Sequence, residues 1–243
     1  MILRRLPDSR FSEVLPAWKG GTAFLLGGGP SLTVLQVDAV RIECEAGRGH
    51  CIAINDAYLL APWADVLYAA DAAWHNWHTA GVAKPLLGLS KPQVAALFAH
   101  FRGQKCSIES QVQNIEQDET HVLRNAYPKS HGTGMSLDPQ AIVTGRNSGH
   151  QAVNVAILAG VARIILLGFD GRADPKTGAT HWHGGHPREQ VSPSAFADFR
   201  RAWSASQNAI AATGVRIINC SPGTFIDTFE KMPLEQALEL ATA

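Results

Sequence analysis

Excess charge of either sign is missing from this sequence: 21 lysines and arginines face 21 aspartates and glutamates. No run of basic residues occurs either, so the electrostatic footprint that general binding to duplex nucleic acid or to an acidic membrane needs is absent. Cysteine is scarce. The four present, Cys44, Cys51, Cys106 and Cys220, show no CxxC spacing and sit beside apolar residues, which argues against a disulfide framework or a zinc site and points to reduced thiols in a cytoplasm. Long apolar runs are lacking too. No stretch reaches eighteen residues, and the opening MILRRLPDSRF turns polar after its two arginines, so neither secretion nor a membrane span is expected. Repeats and low-complexity segments are likewise missing. The expected partner is a small molecule, with homo-oligomer formation left open.

What is there is core. Apolar residues make up 46% of 243 positions, enough for a large buried interior and too many for a disordered chain. Thr22 to Leu26 reads as a strand ending in Gly27-Gly28-Gly29-Pro30, and Ser31 to Val40 reads as the helix that follows. His50 to Ile54 and Asp65 to Ala70 read as further buried strands ending at Asn55-Asp56 and Asp71. From Asn147 an alanine-rich helix runs to Gly160, followed by a strand at Ile164 to Leu167. Ser192-Pro193 opens a helix with Phe196, Phe199, Trp203 and Ile210 on one face; Val215 to Asn219 reads as the last strand and Pro233 to Leu240 as a terminal helix. Strands alternating with helices imply a single α/β domain over 1–243, Rossmann-like, with a mostly parallel sheet and helices on both faces. About 90–140 is expected to be a partly irregular insertion or lid, in which Pro92 to Phe101 reads as helical and Gly103 to Leu137 mixes short apolar pieces with Gly, Ser and Pro.

Five groups of residues can carry chemistry. In the glycine loop, Gly27 to Gly29 let backbone N–H groups close on a phosphate, Pro30 stiffens the exit and Ser31 can cap the next helix; a plain tight turn is the alternative. Thr144 to Gly149 is a second loop feeding a helix N-terminus, where Asn147, Ser148 and Gly149 can face an anion beside Arg146, or serve as an ordinary cap. Asn55, Asp56, Asp71 and Asp170 fall just after strands and can hold Mg²⁺ or a ribose hydroxyl, or cap turns. Asp56 and Asp71 are the candidate metal ligands. The densest signal is His181-Trp182-His183-Gly184-Gly185-His186-Pro187-Arg188. Its histidines can act as general base or acid, with Arg188 or Arg172 holding phosphate; a transition-metal site and a plain solvated loop are the alternatives. Trp74, His75, Trp77 and His78 form a further cluster, suited either to stacking on a base or sugar or to core packing.

Taken in order, Gly27 to Leu32, Ile54-Asn55, Asn147-Ser148-Gly149, Leu167 to Asp170, the histidine loop and Asn219-Cys220-Ser221-Pro222 resemble the superfamily joining bacterial family-42 sialyltransferases with MptE-like 6-hydroxymethylpterin diphosphokinases. The sialyltransferase side implies a transferase taking a CMP-sugar donor and a hydroxyl acceptor. Gly27 to Ser31, Asn55, Ser148 and Gly149 would then hold the nucleotide, with Arg172 or Arg188 on its phosphate and His186, then His183 and His181, as the base; Asn147, Asp170 and Ser221 are further nucleotide-binding candidates. This chain departs from that pattern at Gly28, where the family has Asn, and in lacking tyrosines between Asp170 and His181. The diphosphokinase side implies ATP with Mg²⁺ on Asp56, Asp71 or Asp170. Neither side implies a tightly bound cofactor beyond the nucleotide. The tail from Pro222 to Leu238 resembles short phage proteins carrying this domain, which implies a prophage context and a third reading, a non-catalytic nucleotide-binding protein.

Overall fold

A computed structural model describes residues 1–79, 87–109, 119–127, 132–184 and 191–242. Nine strands form one sheet, parallel throughout: β3 (Thr22–Leu26), β4 (His50–Ile54), β5 (Val66–Tyr68), β6 (Gln104–Ile108), β7 (His121–Asn125), β8 (Ala141–Ile142), β9 (Arg163–Leu167), β10 (Arg216–Asn219) and β11 (Glu230–Lys231). Their spatial order is β11-β10-β9-β3-β4-β5-β6-β7-β8. A short antiparallel hairpin, β1 (Leu3–Arg5) and β2 (Ser12–Val14), lies at the β7 end, where Phe11 bridges Val122.

Alternation along the central strands builds two cores at once, because successive side chains point to opposite faces. Ala23, Leu25, Ile52, Ile54, Ile164 and Leu166 share one face with α4 (Ser148–Leu158) and α5 (Pro193–Ala212). Phe24, Leu26, Cys51, Ala53, Ile165 and Leu167 share the other with α1 (Val34–Glu45), α2 (Ala72–Thr79), α3 (Lys91–Ala99) and α6 (Leu234–Thr242). Covering both faces is what lets these strands be apolar at consecutive positions after their first residue. All four cysteines are free, and burial pushes the Cys44 and Cys220 thiols up to about 12.

The structure differs from the sequence expectation in three places. Within 90–140, α3 falls where Pro92 to Phe101 reads as helical, but β6 and β7 are regular strands that extend the sheet. They carry Gln104, Lys105, His121 and Arg124, whose polarity hides the apolar pattern; Lys105 is accommodated by laying its ammonium over the Phe98 ring at 4.6 Å. The rest of that stretch includes 110–118 and 128–131, outside the described residues. Helix α1 starts at Val34, not at Ser31. Leu32 N–H bonds back to Gly29 O, adding a turn, and Thr33 then forms the cap with Gln36 in a reciprocal capping box. β10 is not the last strand either, since the two-residue β11 pairs with it beyond the 220–229 loop.

Candidate functional site

The strand order reverses at β3: the chain runs outward through β4 to β8 and returns to β9 on the other side of β3. At such a switch point the loops leaving the two strands diverge and open a crevice at the carboxyl edge. A cavity of about 570 Å³ lies there, in the range of ligand sites. It is lined by Gly27 to Gly29 after β3, Asn55 and Asp56 after β4, Asp71 after β5, Arg146 to Gly149 at the start of α4, Gly168 to Arg172 after β9, and His181 and His183.

The glycine loop is held against the β9 loop by its own backbone. Gly27 N–H donates to Leu167 O at 2.7 Å and Gly29 N–H to Gly168 O at 2.9 Å. That intimacy forbids a side chain at two positions: a Cβ on Gly27 would meet Gly168 O at 2.6 Å, and one on Gly29 would meet Gly168 O at 2.5 Å as well as the Asp170 carboxylate. Gly28 is different, because a Cβ there would meet only His181, at 3.7 Å. Trp182 N–H donates to Gly28 O, tying the histidine loop to the glycine loop.

One end of the cavity favours anions. Asn147 caps α4 by accepting from His150 N–H at 2.8 Å, leaving Ser148 and Gly149 at the first two helical positions, where N–H groups have no intrahelical acceptor. Arg146, in the left-handed region at φ 63°, stands beside this turn, 3.5 Å from Asp198. Arg172 comes from the β9 loop with its guanidinium over the Phe225 ring at 4.3 Å. Asp170 faces the same space. Burial pushes its carboxyl up to about 6, against hydrogen bonds from Ser31 and the charge of Arg172.

Across the cavity lies a buried group of a different kind. Asp56 Oδ1 accepts from the Trp74 indole N–H at 2.7 Å, and Oδ2 accepts from His183 Nε2–H at 3.1 Å. His78 Nε2 stands 3.3 Å from Oδ1, within ion-pair distance but out of hydrogen-bond alignment. Burial alone would raise the Asp56 carboxyl; the contacts from His183 and His78 outweigh it and hold it well below the usual carboxylate range. Next to it, Asn55 sits in the left-handed region at φ 51° with Oδ1 buried and without a partner among the described residues. The remaining wall is aromatic, formed by Phe169, Phe196, Phe199 and Trp203.

The structure thus brings Gly27, Gly28, Gly29, Asn55, Asp56, Asp71, Asn147, Ser148, Gly149, Asp170, Arg172, His181 and His183 to one cavity. Pro30, Ser31 and Ser221 do not line it: the Ser31 hydroxyl donates to Asp170, and the Ser221 hydroxyl accepts from Phe169 N–H at 2.7 Å, so both brace the loops behind. His186 and Arg188 lie outside the described residues. Asp71 Oδ1 accepts from Ala73 N–H, capping the start of α2. Among the described residues no group of three or more histidines, cysteines or acids is placed to hold a metal ion. Sequence reasoning placed His78 in a stacking or packing cluster and missed its tie to Asp56. Only the pairing of β4 with β5 brings the two together, and no spacing signals that. No family model, curated protein or solved structure matches the chain.

Proposed function

We propose that this cavity binds a nucleotide and that the chain is a transferase of sialyltransferase-like type, moving a sugar from a CMP-activated donor to a hydroxyl acceptor. The observation that carries this reading is the placement of His183, oriented by Asp56, in the same cavity as the α4 N-terminus and Arg172. In this scheme the nucleotide phosphate lies against Gly28, the first turn of α4 and Arg172, and the aromatic wall takes the apolar face of the ligand. The acceptor oxygen bonds to the anomeric carbon as the bond from that carbon to the phosphate oxygen breaks. The electron pair leaves with the nucleotide, and the hydroxyl proton passes to His183. Nε2 of His183 is committed to Asp56, which orients the ring.

The donors present do not suit Mg²⁺. Both Asp56 oxygens face N–H groups and Asp71 is engaged by the α2 backbone, whereas Mg²⁺ asks for carboxylate oxygens turned towards it. No step is therefore routed through a metal. Calorimetry with CMP, ATP and GTP, each with and without Mg²⁺, tests the reading. Heat with CMP alone is the expected result, ATP binding that needs Mg²⁺ would replace glycosyl with diphosphate transfer, and binding without turnover would leave a sensor. No heat with any of them sinks nucleotide binding altogether. His183→Ala is expected to lower turnover by about 10²–10⁴-fold with nucleotide affinity nearly unchanged.

A further inference from the structure

His78 takes no place in the cavity wall. Its side chain is 1% exposed, stacked on the Trp74 indole with ring centroids 3.8 Å apart, and it reaches the site only through Asp56. Its proton inventory is constrained by what surrounds it. Nδ1 lies 2.8 Å from Trp74 O, an acceptor only, so Nδ1 carries a hydrogen. A neutral ring would then present the lone pair of Nε2 to the Asp56 carboxylate at 3.3 Å, in a buried setting that screens the repulsion poorly. A second hydrogen on Nε2 turns that contact into an attraction between opposite charges.

We propose that His78 is an imidazolium, the buried counter-ion of Asp56, and so the residue that positions the dyad: with its charge matched by His78, Asp56 accepts a hydrogen bond from His183 without drawing a second proton onto that ring. His183 is thereby held neutral, in the Nε2–H tautomer that a base needs. This rests on the proposed role of His183 but concerns a separate observable. Among the described residues, the titratable groups around His78 are Asp56 and Tyr58 from the turn after β4, His183, which shares Asp56, and His75 one turn back on its own helix; Lys105 lies over the Phe98 ring that His78 also meets. Of these only Asp56 supplies the negative charge.

The test is ¹⁵N NMR of histidine-labelled full-length protein near neutral pH, with His78 and His183 assigned through single His→Gln substitutions. The expected wild-type spectrum has both His78 nitrogens protonated and His183 neutral with hydrogen on Nε2. Asp56→Asn removes the charge, and His78 is then expected to fall to the neutral Nδ1–H form. His78→Phe keeps the stack on Trp74 but removes the cation, and the second proton is expected on His183. A neutral His78 with a bare Nε2 in the wild type overturns the proposal, and that spectrum needs no variant to fold. A His78 that stays doubly protonated in Asp56→Asn, or a His183 unchanged in folded His78→Phe, overturns it as well. Calorimetry on the wild-type sample separates the two readings: nucleotide heat with a neutral His78 removes this inference alone, and an imidazolium without nucleotide heat removes only the nucleotide-dependent one.

Discussion

At the level of single residues, the three consecutive glycines do different work. Gly27 and Gly29 have no room for a methyl because the β9 loop crosses them at backbone contact, so Gly29→Ala is expected to destabilise the protein by about 1–3 kcal/mol, as overpacking does elsewhere. Gly28→Ala has space, and its thermal midpoint should stay near that of the wild type while nucleotide affinity drops, since the methyl projects towards His181. Equal destabilisation of both variants in thermal melts would remove this distinction. Asp170 supplies a pH signature. Its carboxyl is raised from 3.8 to about 6, chiefly by burial, so between about pH 4 and 6 the folded state holds more protons than the unfolded one. Stability therefore falls as pH rises across that window, by on the order of 2–3 kcal/mol, and levels off above it. Asp170→Asn should lose this slope in denaturant titrations. The ionised carboxylate also repels phosphate, so wild-type nucleotide affinity, measured relative to Asp170→Asn, is expected to weaken as pH rises through about 6.

Helix starts show how an element's cap and its function can be separated. Asn147 caps α4 at the cavity, and Thr33 caps α1 away from it. Either change to alanine should cost about 1 kcal/mol of stability, the usual worth of such a cap. Only Asn147→Ala is expected to weaken nucleotide binding as well, because fraying the first turn of α4 disperses the N–H groups that face the anion. Matched affinities in the two variants, read by calorimetry, would show that the α4 turn is not part of the binding surface. Helix α5 illustrates the converse. The sequence pattern marks Phe196, Phe199, Trp203 and Ile210 as one apolar stripe, yet Phe196 and Phe199 border the cavity, Trp203 borders it while buried in the core, and Ile210 lies in the core alone. A hydrophobic stripe reports which side is dry without saying whether it meets protein or ligand.

Across the whole molecule, the sheet sets a gradient of stability from centre to edge. β3, β4 and β9 are flanked on both sides and covered on both faces, whereas β8 and β11 are two-residue edge strands. Hydrogen exchange should be slowest in these three interior strands and fastest at the two edges; protection spread evenly along the sheet would contradict that ordering. The α/β class, the strands around the glycine loop and the two helix starts at Asn147 and Ser192 were legible from the chain, because apolar period, glycine and cap residues act over a few neighbours. The polar strands β6 and β7 were not, since their burial depends on partners far along the chain. Nor was the site's inner group. Asp56, Trp74, His78 and His183 carry no common motif, and their protonation and hydrogen bonding arise only when β4, α2 and the histidine loop meet in a space that excludes water.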